Sequence, residues 1–338
     1  MQPVVSVVMA VLDGERFLAA AVDSVLRQSL AELELVVVDD GSTDATARIL
    51  AQVAARDARV VVHRQHNAGR PAALNRAIAL ARAPLVARLD ADDLCLPERL
   101  ARQVEFLERH DAVALVGGAV RLVDAGGRVF EQSRYPLTNA EIRSAFAYTT
   151  PFVHSAVMFR RSAVTALGGY RACNDAEDLD LWLRLSERHE LANLPDPVVA
   201  YRIHSEQVSA RRCELQALGV LAAHACARAR REGEADPLDA APAIDEDWLL
   251  ARGVTPAEIA LTVVKSATWL AKVVGRAGQA DQAEALLAVA ETRARTQPDA
   301  RALLAIVHRA RATRRAEQGR FLRARYERGR ALLAERRR

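Results

Sequence analysis

The chain has 338 residues, 51% of them hydrophobic, and carries a net charge of +4. That length suits one large core or two domains. It holds no uninterrupted apolar stretch near the roughly 18 to 20 residues that span a bilayer. Its opening Met1-Gln-Pro-Val has no basic region before the apolar run, so it reads as the start of a strand and not as a signal peptide.

Residues 4–13 form a continuous apolar run that stops at Asp13-Gly14, and residues 33–44 repeat the pattern, ending in Asp39-Asp40-Gly41. Near-continuous β-branched runs of this kind belong to strands buried on both faces of a parallel sheet. Between them, residues 15–29 place Leu18, Val22, Val25 and Leu26 at helical spacing. A third strand is expected over 59–63, and a helix from Arg70-Pro71 carrying Leu74 and Ile78. A fourth strand, Leu85-Val86-Ala87, runs into Arg88-Leu-Asp-Ala-Asp-Asp93. Alternating strands and helices predict a doubly wound α/β sheet, which binds ligands beyond the carboxyl ends of its strands where strand order reverses. Asp13, Asp39-Asp40 and Asp90, Asp92 and Asp93 all fall at such ends.

Residues two apart in an extended segment point the same way, so Asp90 and Asp92 can present oxygens to one point. Hard carboxylate oxygens suit Mg²⁺ or Mn²⁺. The competing reading is that these acids cap the helix that Pro97-Glu98 begins. Three acidic turns on one sheet edge are hard to explain as three separate caps. Further on, a strand is expected over 155–159, and Glu177, Asp178 and Asp180 open a helix in which Leu179, Trp182 and Leu183 can face the core. Taken alone, those acids read as favouring the positive end of the helix dipole.

Strand signals disappear after about Ser209 and alanine-rich helical patterns take over. Helices are expected over 213–232, after Pro256, over 282–295 and after Pro298, with no clean repeat period. Residues 309–338 carry twelve arginines against three glutamates, so the rest of the chain is net acidic. A basic patch confined to one tail argues against general nucleic-acid binding. Leu322, Tyr326 and Leu333 share one stripe of that tail, which suits either an interfacial helix on an anionic membrane or a helix docked on its own domain. The cysteines Cys95, Cys173, Cys213 and Cys226 lack paired metal-ligand spacing, and reduced thiols of a cytoplasmic protein are expected.

The runs at 6–18, 23–29 and 37–44 resemble the opening of the inverting glycosyltransferases of family 2, which have the GT-A fold. Residues 67–77, 89–100, 176–184 and, more weakly, Tyr201-Arg-Ile-His-Ser205 are similar to that family's later motifs, in its order and spacing. The resemblance covers roughly the first two thirds of the chain. It implies a GT-A catalytic domain at 1–209, with a nucleotide-binding half at 1–118 and an acceptor-side half at 119–209; the helical patterns beyond it read as an α-helical region at 210–338 that packs on the catalytic domain or joins two protomers. One departure is visible: the family often has Pro-x-Tyr-Asn where this chain has Ala10-Val-Leu-Asp13, so an aromatic contact to the base is in doubt.

Position by position, the resemblance implies that Asp39 accepts hydrogen bonds from the nucleobase, most often uracil. The backbone near Ala10 and Val11, with Asp13, would hold the base from the other side. Asp90 and Ala91 would meet the ribose, Arg70 the phosphates, and Asp92 the Mn²⁺ or Mg²⁺ that bridges the diphosphate. His204 matches a position that assists the metal or diphosphate, although a lone histidine is more often a surface or core residue. His154 is similar to a residue lining the acceptor cleft, and Glu177 and Trp182 would lie near the sugars. Asp178 would be the general base. The implied activity is metal-dependent, inverting transfer from a nucleoside-diphosphate sugar, expected to be a UDP-sugar, to a glycan or lipid-linked hydroxyl acceptor in cell-surface polysaccharide or glycoconjugate synthesis, in the cytoplasm or at the inner face of the membrane. Two other classes fit less well. A sugar-nucleotide nucleotidyltransferase would carry a glycine-rich basic loop after its first strand, which Ala10-Val-Leu-Asp-Gly-Glu15 does not resemble. A non-catalytic nucleotide-sugar-binding scaffold would have lost Asp92 or Asp178, and both are present. A P-loop kinase is excluded because no G-x-x-x-x-G-K-[ST] occurs.

Overall fold

The computed structural model describes residues 2–239, 243–298 and 300–335, with the side chains of 208, 209, 318 and 320–335 outside that description. The chain forms two compact units, Met1–Ile203 with Ala222–Pro242, and His204–Leu221 with Ala243–Arg338.

The first unit opens with β1 (Val5–Val11), α1 (Leu18–Leu26), β2 (Leu33–Asp39), α2 (Thr46–Ala54), β3 (Val60–Arg64), α3 (Arg70–Leu80) and β4 (Leu85–Arg88). It continues through β5 (Leu94–Cys95), α4 (Arg99–Arg109), β6 (Val113–Asp124), β7 (Val129–Ser133) and α5 (Asn139–Ala145). A 3₁₀ turn at His154–Ala156 precedes β8 (Met158–Arg160), α6 (Arg161–Ala166), α7 (Glu177–Ser186) and β9 (Glu190–Ile203). The sheet order is β3-β2-β1-β4-β8-β6-β9-β5, with β7 beside β6. β1, β2, β3 and β4 pair in parallel, whereas β8 is antiparallel to both β4 and β6. The expected sheet is therefore present and mixed.

Every residue of β2 is buried, and β1 exposes only part of Ala10, which is the habit of a strand covered by helices on both faces. The chain leaves β1 toward β2 and β3, then returns to lay β4 on β1's other side, so strand order reverses between β1 and β4. Val11 stands opposite Asp39, and Asp39 opposite Arg64, so three strand ends meet at that crevice. The strand expected over 155–159 is instead the 3₁₀ turn followed by β8. The Ser155 hydroxyl is bonded to Asp90, which holds that segment off the ladder.

The helix α9 (Cys213–Arg231) runs across the boundary between the units, after α8 (Val208–Arg211). Residues 222–242 group with the sheet, unlike the expected helical region beginning at 210. Ion pairs account for it: Arg230 pairs with Glu187 at 2.7 Å and with Asp236, and Arg171 pairs with Asp236 and Asp239 at 3.0 and 2.8 Å.

The second unit is helical: α10 (Glu246–Leu250), α11 (Pro256–Arg276), α12 (Ala280–Arg295) and α13 (Ala300–Glu335). Thr255 and Glu258 close a reciprocal cap on α11, with Pro256 in its first turn. The stripe of Leu322, Tyr326 and Leu333 lies outside the described side chains. No helix among the described residues is long and apolar enough to cross a membrane. All four cysteines are buried and none forms a disulfide.

Candidate active site

Asp39 ends β2 with its side chain 1% exposed. Its Oδ1 accepts the backbone N–H of Ser42 at 2.9 Å, and Arg64 approaches Oδ2 at 3.4 Å. Oδ2 is buried and accepts no hydrogen bond. A buried acceptor left without a donor is costly, so one aimed at a strand-end crevice is suited to an incoming N–H. The neighbouring Asp40 does a different job. Its oxygens accept from Gln65 and from the backbone of Ala68 and Gly69 at 2.8 to 2.9 Å, which fixes the turn that delivers Arg70 to the first position of α3. Gly69 takes a φ of 88° there, a conformation that glycine adopts without strain.

Asp13 also has a positive φ, 52°. Its Oδ1 accepts from Thr43 N at 2.7 Å, and its own N–H meets the Ser42 hydroxyl at 2.9 Å. It thus clamps the loop after β1 to the loop after β2. Ala10 and Val11, opposite Val38 and Asp39, form the adjoining wall.

Asp90, Asp92 and Asp93 place ligand oxygens within 4.8 Å of one another just beyond β4. Their environments differ. Asp90 Oδ2 is taken by the Arg88 guanidinium and by the Ser155 hydroxyl at 3.0 Å. Burial opposes its ionisation, but Arg88, followed by Arg70 and Ser155, holds the carboxyl below its ordinary range. Asp93 is fully buried: Oδ1 accepts the Arg202 N–H at 2.7 Å, and Oδ2 has no hydrogen-bond partner. Burial, then the negative charges of Asp92 and Asp90, pushes its carboxyl well above the ordinary range. Asp92 is half-buried, and its backbone carbonyl accepts from Arg202 at 2.8 Å. A mutually repelling set of hard oxygens with one orphaned atom fits a divalent cation. Ala91 stands half-buried between them.

The opposite wall is α7. Asp178 is half-buried in its first turn, and its Oδ1 accepts the Leu179 N–H at 2.8 Å. Burial, then the charge of Glu177, raises its carboxyl to about 6, against the lowering pull of Arg70 and Arg88. Glu177 itself is 2% exposed and pairs with Arg70, which also lies 3.6 Å from Asp175. The expected Glu177 contact with a sugar is therefore replaced by a brace: the carboxylate is spent on Arg70. Trp182 needs a similar correction. It is fully buried, ringed by Phe152, His154 and Tyr170 at centroid distances of 5.9 to 6.4 Å, and so supports the wall from behind. His154 is half-buried with its Nε2 2.9 Å from the Tyr170 hydroxyl. Burial, then Arg88 and Arg70, lowers its pKa well below the ordinary range, so the ring is neutral.

Asp180 is two residues from Asp178 on the same helix and faces away from it. It is fully buried between Arg171 (2.5 Å) and Arg184 (2.8 Å). That removes it as an alternative base and makes it the anchor of the helix that presents Asp178. His204 belongs to the second unit. Its Nδ1 accepts the Glu206 N–H at 3.3 Å, which in the neutral ring leaves Nε2 as a donor.

Four contributors were missed from sequence: Arg88, Ser155, Tyr170 and Arg202. Only Arg88 left a signal, an arginine inside an apolar strand two residues before an aspartate. The others come from distant segments and are joined to the aspartates by folding alone.

Residues 6–168 match the model of glycosyl transferase family 2. The amylovoran biosynthesis glycosyltransferase AmsE of Erwinia amylovora is 37% identical over 200 residues, spanning 58% of this chain and 74% of the relative. The O-antigen biosynthesis glycosyltransferase WbnJ of Escherichia coli is 30% identical over 206 residues, spanning 60% of this chain and 80% of the relative. Among solved structures, the mannosyltransferase PcManGT from Pyrobaculum calidifontis, in complex with GDP-Man and Mn²⁺, superposes with a TM-score of 0.55 at 21% identity, covering 93% of this chain and 87% of that one. S. aureus TarS residues 1–349 with UDP superposes at 0.52 and 18% identity, covering 88% and 92%. These structures share the GT-A fold. With a parallel half-sheet, its acidic strand ends and these relatives in agreement, the chain is a glycosyltransferase and belongs to glycosyl transferase family 2.

Proposed function

We propose that the protein transfers a sugar from a uridine-diphosphate donor to a hydroxyl of a growing polysaccharide or lipid-linked glycan, with Mn²⁺ or Mg²⁺ and inversion at the anomeric carbon. The observation that carries this reading is the set of three carboxylates within 4.8 Å of one another at the reversal point of the sheet. Asp39 would receive the N–H of the uracil on its unpartnered Oδ2, and Arg70, held rigid by Glu177, would meet the phosphates. Asp92, with Asp90 and Asp93 beside it, would hold a divalent cation, which when bound neutralises charge on the departing diphosphate. Asp178 is the general base. A carboxyl raised to about 6 is ionised at neutral pH yet more basic than an ordinary aspartate, so it can take the acceptor's proton as the hydroxyl attacks. One displacement from the face opposite the diphosphate inverts the centre. The neutral His154 offers the acceptor a hydrogen bond without adding charge. The biosynthetic roles in the names of AmsE and WbnJ, the UDP and GDP-Man of the TarS and mannosyltransferase complexes and the Mn²⁺ of the latter support a glycan acceptor, a nucleotide-sugar donor and the metal.

Calorimetric titration of UDP, CDP and GDP with and without Mn²⁺ tests the reading. UDP should bind best and only with the metal, and Asp92→Asn should lose that metal dependence while keeping its fold. A site built on one hydrogen-bonding group discriminates strongly, because the wrong base leaves it unpaired. Equal UDP affinity with and without Mn²⁺ removes the metal role. Tighter binding of CDP or GDP overturns the uracil assignment.

A further inference from the structure

The bundle of the second unit leaves a groove of about 340 Å³ between α11 and α13, floored by Leu287 of α12. Ile306, Ala310 and Thr313 of α13 line one side, and Trp269 and Lys272 of α11 the other. Trp269 is 60% exposed, whereas the other tryptophans, Trp182 and Trp248, are buried. Along α11, Lys265, Trp269 and Lys272 follow at intervals of four and three residues, and so share one face. Both lysines are exposed and neither has a carboxylate partner among the described residues. Three acids of this bundle are already taken: Glu284 by Arg311 and Arg314, Glu291 by Arg295 and Arg311, and Glu317 by Arg276. The two lysines thus flank a largely apolar slot whose lip is an indole and whose own charges, Arg314 and Glu317, are each held in an ion pair.

We propose that this face of α11 and α13 docks on an anionic lipid bilayer, with Trp269 entering the headgroup boundary and Lys265 and Lys272 meeting lipid phosphates. The charge pattern selects this occupant. A second copy related by a two-fold axis would set the same unpaired lysines against each other. A nucleic acid would use the cations but not the slot. A membrane boundary uses both, since tryptophan is amphipathic and lysine stems lie on apolar surface while their ammonium groups reach phosphate.

The test uses the full chain with vesicles of phosphatidylcholine, with and without phosphatidylglycerol, at low and high salt, read by co-sedimentation and tryptophan emission. The expected result is binding to the anionic vesicles alone, weakened by salt, with a blue shift that Trp269→Ala abolishes. A Lys265→Glu, Lys272→Glu double variant should lose affinity on the order of 10²-fold, while its UDP-sugar hydrolysis stays at the wild-type rate and shows that it is folded. No binding at low salt overturns the proposal. So does unchanged binding by the double variant, which assigns the contact to the distal arginines. Concentration-dependent self-association that Trp269→Ala removes assigns the groove to a second copy. These outcomes leave the glycosyltransferase reading untouched, because every residue tested lies in the helical unit.

Discussion

Asp178 of the sheet unit and Glu291 of the helical unit are both carboxylates on helices, and their surroundings drive them in opposite directions. Hydrogen bonds from Arg295 and Arg311 hold Glu291 at about 2. Burial and a neighbouring glutamate lift Asp178 to about 6. The helical unit spends its acids on stabilising pairs. The sheet unit keeps several of its acids under-compensated, and such frustration marks where a substrate or cation is expected to complete the site. The same unit also contains paired acids, Glu177 and Asp180, and these turn out to be braces.

The sharpest way to break this contrast is Asp178→Asn. Loss of a general base costs about 10²–10⁴ in rate, so transfer should collapse while UDP affinity persists, measured by steady-state transfer and calorimetry on one sample. Near-normal transfer would sink the assignment. Wild-type transfer should rise with pH through about 6, as the base ionises. Stability should run the other way. A carboxyl raised above its ordinary 3.8 contributes stability that is full below that value and lost as pH rises through about 6. Above that window Asp178→Asn should therefore melt no lower than the wild type. A lower melting point there would mean that the charge serves its helix and not the reaction.

Asp180→Asn should do what Asp178→Asn does not. Breaking this buried pair leaves Arg184 without its carboxylate partner, while Arg171 keeps Asp236 and Asp239, at a cost of about 3–5 kcal/mol. Urea unfolding should show a large drop in stability with a shift in midpoint. A loss of transfer without loss of stability would make Asp180 part of the chemistry. The smallest effect belongs to the helical unit: Thr255→Ala removes one half of the α11 cap and should cost about 1 kcal/mol. No change in the thermal midpoint would show that the cap frays in solution.

Much of this was legible in the residues. The apolar runs of β1, β2 and β4, with Asp39 ending β2 and Asp13 and Asp90 two residues past β1 and β4, announce buried parallel strands with acids at their carboxyl ends. Pro256 behind Thr255 announces the start of α11. Less visible was the far half of the sheet, where β9 runs through Pro195 and Pro197 and pairs with β6 across bulges, because proline within a strand normally argues against one. The docking of residues 222–242 was hidden as well, since Arg230 and Asp236 look like solvated charges until Glu187 and Arg171 face them.

The sequence by itself determined the order of the first four strands and their helices, the placement of Asp39, Asp90, Asp92 and Asp178 at element ends, and the family. Periodicity and local turn chemistry are properties of neighbours in the chain, so they can be read there. Only the tertiary structure decided which of these acids are available. Glu177 and Asp178 are adjacent in sequence, yet one is consumed by Arg70 and the other left raised and half-buried. That difference depends on burial and on charges brought from more than a hundred residues away, and both exist only once the chain has folded.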